Sequence, residues 1–464
     1  MLRPLYQVSD EIVYLSTVQA VAFGIAPVGL APCLAPPAGT RPAIAAQAKP
    51  GFLRATSRQL VWLCELGAGD RSLLLLRLLQ ALSLPVVAAC AWAIARTITG
   101  RAEDALLAGV LVAAHPVAAT HAGGVTPDAW ANAFSAVAFL SATRVLVGGG
   151  RGWDLLAVVA APLLALAWKD TATFLLALPL SVMAVQVAQS YRNAGTTALR
   201  LAGLVLSAGL VAVAGLVWFR TPYLASPGAA GAPRDAAVWV RAVLGDLLAQ
   251  LPGLATSSWT GIGNFGASTL TTAAVANVIG VLLLVAGLVG AFVRLPQAPA
   301  PRRLLAIGIV WAMSAGLCVA QPSIRQVLLS TQDVHQGRWL FPLLAPAAVF
   351  LACGINGLVT GRRLLPLATL AMSVVSISAA LETTRYYWDA IPSQLRTASL
   401  FIRGTGGAVV DDALVLSLIR HASTYVPDVT VVAPLTLAAL GVACLAHGVT
   451  LLTAGSHVSH AHDR

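Results

Sequence analysis

The sequence predicts an all-α, polytopic membrane protein: a bundle of about eleven transmembrane helices with long loops on one face. Three observations predict it: a very apolar composition, apolar runs of membrane-crossing length, and a sorting of arginines between alternate connections. The 464 residues are 58% hydrophobic and 10% charged, with a mean hydropathy of +0.81. Soluble domains carry about a quarter charged residues, so this chain has too few polar groups to cover a water-facing surface. The apolar runs are continuous, as in Leu73–Leu76 and Val281–Val285. A membrane β-barrel would alternate with period two instead.

Candidate spans cover residues 72–95, 104–121, 128–147, 154–168, 171–190, 199–219, 271–293, 303–320, 339–358, 363–381 and 429–452. Pro116 and Pro162 fall inside two of them, a position tolerated in membranes where neighbours satisfy the freed backbone groups. Alternate connections carry Arg96/Arg101, Arg144/Arg151, Arg192/Arg200, Arg294/Arg302/Arg303 and Arg362/Arg363. The turns between them, Gly123–Pro127 and Trp168–Asp170, hold a single cation. The positive-inside rule makes the arginine-bearing set cytoplasmic.

The expected organisation follows. Residues 1–71 form a first extracytoplasmic loop. Residues 72–453 form the helical domain, with outer loops at 220–270, 321–338 and 382–428, and residues 454–464 a short cytoplasmic tail. An upstream helix is expected before the first loop, and re-entry of Thr17–Leu34 is the alternative. Met1–Gln19 carries acids and lacks an apolar core, so no cleavable signal is expected there.

The net charge of +11 comes from cations scattered singly and in pairs beside apolar runs, and only Lys49 and Lys169 are lysines. That is membrane anchoring rather than a nucleic-acid surface. Six cysteines show no CxxC spacing, which excludes the common zinc and redox motifs. Cys33 and Cys64 alone fall on expected outer loops, so a disulfide there is possible.

The outer face gathers the residues able to do chemistry. Asp10 and Glu11 are adjacent carboxylates, fit for a general base or metal ligands, or for a capped helix start after Ser9. Asp128 follows Pro127 at the mouth of a span, where it can cap the helix or join the same cleft, with His121 nearby. Lys169–Asp170 is either a mutual ion pair or a phosphate contact at the interface. His335-Gln-Gly-Arg338-Trp339 enters a helix, and a guanidinium there opposes the helix dipole but suits a bound phosphate. Trp339 sits at headgroup level in any case. Ser257–Gly266 is polar and glycine-rich, suited to sugar contacts or to a flexible turn.

In this order the residues resemble the GT-C superfamily of integral-membrane glycosyltransferases. Pro4 to Glu11 looks like that group's Pro-x-x-x-x-Asp-Glu first loop, one residue longer. Pro127–Asp128, Lys169 and Gly337-Arg338-Trp339 look like its later motifs, and Tyr14 stands where a histidine often follows the acidic pair. The resemblance runs over residues 4–342 and lies nearest to uncharacterised bacterial membrane proteins, with protein-mannosyltransferase-like enzymes further off. It implies an inverting transfer from a polyprenyl-phosphate-linked sugar to an extracytoplasmic glycan, lipid or protein acceptor, in a bacterial plasma membrane. Asp10 or Glu11 would be the base. Asp128 would orient the acceptor or help Asp10 and Glu11 hold a divalent cation such as Mg or Mn. Lys169, His335, Arg338 and Trp339 would bind the phosphorylated donor. A membrane transporter or lipid flippase, a polysaccharide polymerase or ligase, and an inactive subunit are the competing readings.

Overall fold

In a computed structural model of the chain, the described residues are 18, 21–22, 50–68, 72–115, 118, 121–148, 150–190, 236–259, 274–294, 301–329, 337–358 and 370–374. Among them no strand occurs, as the composition predicts. The helices are α1 (Pro50–Glu65), α2 (Ser72–Ala81), α3 (Ser83–Thr99), α4 (Ala102–Ala113), α5 (Asp128–Val147), α6 (Gly152–Trp168) and α7 (Ala177–Ser190). They continue as α8 (Ala236–Trp259), α9 (Ala274–Arg294), α10 (Pro301–Leu329) and α11 (Leu344–Leu358). Single 3-10 segments, Asp170–Leu176 and Gly337–Leu343, lead into α7 and α11.

Four helices among the described residues are long and apolar enough to cross a membrane: Leu75–Thr99, Asp128–Val147, Leu304–Gln321 and Leu340–Leu358. Their surroundings fit lipid as the outer solvent. α9 turns Val281, Leu282, Val285 and Val289 outward, and α10 does the same with Leu305, Ile309 and Met313. Contiguous apolar surface of this kind would drive association in water. The chain is an integral membrane protein with a helical bundle at its centre.

Lipid supplies no hydrophobic force between helices, so close packing must hold them, and small residues permit it. The core is accordingly rich in alanine: Ala91 and Ala95 on α3, Ala105 and Ala108 on α4, Ala133, Ala136 and Ala142 on α5, Ala348 and Ala352 on α11. α9 and α11 touch through glycine. A Cβ on Gly354 would meet the carbonyl oxygen of Gly287, and one on Gly290 would meet that of Gly354.

α3 packs on both α4 and α5, and α5 packs on α6, and the arginines gather at one end. Arg96 lies in the last turn of α3 and Arg101 at the N-cap of α4. Arg144 lies in the last turn of α5 and Arg151 at the N-cap of α6. Polar groups at this end are paired: Arg144 to Asp154 at 3.4 Å, and the Asn356 amide donating to Asp104 at 2.8 Å. Asp128 and Lys169 stand at the opposite end of α5 and α6.

Several boundaries differ from expectation. The expected span 104–121 ends as helix at Ala113, because a proline at 116 disfavours helix in the residue before it. The His115 Nδ1 then accepts the backbone N–H of Ala118 at 3.2 Å, starting a new turn. The first loop holds α1, an amphipathic helix that buries Phe52, Leu53, Leu60 and Leu63 and exposes Arg54, Arg58 and Trp62. Its apolar run is too broken to read as a span. It begins at proline and ends in a Schellman turn, with Gly67 at φ 76° and Ala68 N–H donating to Leu63 O at 3.0 Å. The expected outer loop 220–270 holds α8, where Arg241, Asp246 and Pro252 interrupt the hydropathy, and α10 runs past the expected 320 to Leu329. The expected spans 199–219 and 429–452 lie outside the described residues, as does most of 363–381.

Two outcomes test this arrangement. Gly354→Val should lower the thermal midpoint by several degrees, while Gly308→Val, which opens onto empty space, should leave it in place. Arg58→Cys and Ala102→Cys, both exposed, should react with an impermeant thiol reagent from opposite sides of the membrane. Labelling from one side would overturn the two-ended arrangement. Gly51 cannot serve as a labelling position, since a Cβ there would stand 2.7 Å from the Ala167 carbonyl oxygen.

Candidate active site

The centre of the site is an ion pair. The Lys169 ammonium donates to the Asp128 carboxylate, and their side chains are 8% and 2% exposed. Asp128 opens α5, where the helix dipole favours its negative charge. Lys169 stands between α6 and the 3-10 segment with extended backbone, φ −150° and ψ 126°. Neighbouring side chains diverge on extended backbone. The Lys169 side chain reaches across to Asp128 of α5; the side chain of the adjacent Asp170 is not among those described.

Aromatic rings hold this end together. Trp168 meets Phe134 of α5 at 5.7 Å and Phe52 of α1 at 6.3 Å between centroids, both edge-on. Phe341 stands between His115 and His121, at 5.6 and 5.9 Å. These contacts dock the 3-10 segment Gly337–Leu343, which carries Arg338 and Trp339, beside the entry to α5. α8 packs on the same segment. Of the side chains of Arg338 and Trp339 nothing is described, and His335 lies outside the described residues.

Asp10, Glu11 and Tyr14 also lie outside them, but the chain shortly after them is placed. Val18 is fully buried in a cluster with Phe52, Leu76 and Val125, and Trp168 packs against that cluster. Val125 is three residues from Asp128, and Trp168 is next to Lys169. Glu11 stands seven residues before Val18, and extended chain of that length spans at most about 25 Å. Leu76 also precedes Arg77, which is 4% exposed. Arg77 reads in the sequence as a charge inside a span. It stands in the middle of α2, next to Leu76 of the cluster at the end that carries the ion pair.

Among the described residues no three His, Cys, Asp or Glu side chains gather as metal ligands. A divalent cation would depend on Asp10 and Glu11 joining Asp128, whose carboxylate already holds an ammonium. Cys64 is disulfide-bonded, with its partner outside the described residues, and Cys90, Cys318 and Cys353 are not in disulfides.

His115, Trp168 and Phe341 are residues of this site that sequence reasoning passes over. A histidine before a proline within an apolar run was the available signal for His115; rings in apolar segments carry none.

No family model and no curated protein matches the chain. Among solved structures it is similar to the archaeal oligosaccharyltransferase AglB from Archaeoglobus fulgidus, in complex with an inhibitory peptide and a dolichol-phosphate, at 12% identity and TM-score 0.41. That match covers 83% of this chain and 53% of AglB, so the chain spans about half of AglB's length. It is also similar to apo ArnT from Cupriavidus metallidurans, at 16% identity and TM-score 0.43, covering 96% of this chain and 73% of that one. Both scores lie below the level at which a shared fold follows, and the reading of the site rests on its geometry.

Removing one partner of the pair should leave a buried charge. Asp128→Asn or Lys169→Met alone should cost about 3–5 kcal/mol, read from thermal unfolding in lipid nanodiscs. The double variant Asp128→Leu/Lys169→Met should recover most of that loss. A double variant no more stable than the summed single changes would show that the pair is not the stabilising unit.

Proposed function

We propose that the protein is a membrane glycosyltransferase, moving a sugar from a polyprenyl-phosphate carrier to an extracytoplasmic acceptor with inversion. One observation carries this reading. Asp128, Lys169, the segment bearing Arg338 and Trp339, and the chain that follows Asp10 and Glu11 converge on one end of the bundle, away from the arginines.

The chemistry calls for this mixture. A sugar phosphate is an anion whose charge grows on the leaving oxygen as the anomeric bond breaks, and fixed cations stabilise it most when water is excluded. Lys169 and Arg338 fill that role. Asp128 holds the Lys169 ammonium in place, so the cation waits in a neutral pair until a phosphate shares it. Asp10 or Glu11 takes the acceptor hydroxyl proton as that oxygen attacks the anomeric carbon. The carbon–oxygen bond to phosphate breaks, and the carrier leaves as polyprenyl phosphate. No step requires a covalent sugar–enzyme intermediate. Asp128 with the acidic pair is also the candidate set for a divalent cation.

The disulfide at Cys64, beside this end, supports an oxidising and therefore extracytoplasmic location. Arg77 follows Leu76, which packs in the cluster at the ion-pair end of the bundle, whereas transporters place such charges near the midplane.

Asp10→Asn and Glu11→Gln should each abolish transfer from a polyprenyl-phosphate hexose by the full-length protein in nanodiscs, with insertion unchanged. Full activity in both single variants would sink the assignment of the base. Uptake or flipping of the lipid without transfer would favour the transporter or flippase.

A further inference from the structure

The two ends of the bundle treat their polar side chains differently. At the arginine end several polar side chains are paired: Asp104 with Asn356, Arg144 with Asp154, Gln186 donating to the Val145 carbonyl at 3.0 Å, and Thr97 and Thr99 donating to carbonyls a turn back. Around the Asp128–Lys169 pair they are not. The Thr126 hydroxyl, the Asn132 amide oxygen, the Trp168 indole nitrogen and both amide atoms of Gln80 are buried without a hydrogen-bond partner. Thr126 and Gln80 are both fully buried.

These atoms belong to one neighbourhood. Thr126 is two residues before Asp128, and Asn132 is one turn after it on the same helical face. Trp168 precedes Lys169, whose ammonium is bonded to Asp128. α2 packs on α5, and its Leu76, one turn before Gln80, shares the cluster of Val125 against which Trp168 packs.

Buried polar groups in native proteins are paired almost without exception, and in a membrane the cost of leaving them open is higher. A concentration of open groups beside a reactive pair is therefore stability given up for a ligand. The donor and acceptor inventory describes that ligand. An indole N–H only donates, an amide oxygen accepts, and a hydroxyl and a whole amide do both. None carries charge. A phosphate needs cations, which Lys169 supplies; these four groups match neighbouring hydroxyls, each able to donate and accept.

We infer that Thr126, Asn132, Trp168 and Gln80 form a subsite for the hydroxyl-rich sugar of the substrate, separate from the cations that hold its phosphate. This rests on the glycosyltransferase reading for the identity of the substrate, and the test keeps the two apart. Buried water is the other usual occupant of such groups.

The full-length protein in nanodiscs is titrated with a polyprenyl-phosphate hexose and with bare polyprenyl phosphate, as wild type and as Thr126→Val, Asn132→Leu, Trp168→Phe and Gln80→Leu. Trp168→Phe keeps an aromatic ring toward Phe52 and Phe134 but removes ring volume along with the indole N–H. Each variant should bind the sugar-bearing lipid about tenfold or more weakly and bind the bare phosphate unchanged, and the Thr126, Asn132 and Gln80 variants should unfold at the same temperature as wild type or higher. Equal weakening on both lipids, a lowered unfolding temperature without selective weakening, or a wild type that does not prefer the sugar-bearing lipid would each overturn the subsite, and water would then be the occupant. Selective weakening in a protein that never transfers the sugar would keep the subsite and sink the glycosyltransferase reading.

Discussion

The buried pair of Asp128 and Lys169 is the constraint on which the candidate site depends. An ion taken out of water costs several kcal/mol even after relaxation, and an attractive partner recovers that cost only with good geometry. Each residue therefore helps the other keep its charge in this place. The pair ties the start of α5 to the end of α6, and Arg144 with Asp154 ties the far ends of the same helices. The hairpin is fixed at both ends, but by different means. The Arg144 side chain is 43% exposed, and a pair open to solvent contributes little. The buried pair sets the register.

Around this hairpin the bundle is built from small side chains, and its rigidity comes from backbone proximity. The α9–α11 contact leaves no room for a methyl group. A scaffold packed in that way holds the mouth of α5, the end of α6 and the entry to α11 at fixed separations. A site that must place cations, a base and a sugar against one another needs this, because its elements come from distant parts of the chain.

Much of this was legible before any coordinates. The helical class follows from composition and run length, and α5, α6, α9 and α11 fall close to their expected spans, since an unbroken apolar run of the right length has few alternatives. Helices that lie outside that pattern were not legible. α1 is amphipathic and α8 carries Arg241, Asp246 and Pro252, so both read as loop when the criterion is crossing a bilayer. At the site, Asp128 and Lys169 were both picked out by location, but their pairing was not. Sequence adjacency pointed Lys169 toward Asp170, whereas Asp128 lies forty-one positions away. The orphaned groups of Thr126, Asn132, Trp168 and Gln80 leave no trace in a sequence, since a missing hydrogen-bond partner is a property of the packed state.

Gly51 shows how far the site's demands extend. It lies two positions into α1 and packs on the backbone of α6 at Ala167, two residues before Lys169. Because that contact has no slack, the side-chain volume permitted at position 51 is dictated by where the ammonium must sit. Variation at this position is thus restricted by chemistry in which the residue takes no part, and α1 belongs to the wall of the cleft as much as any residue that faces it.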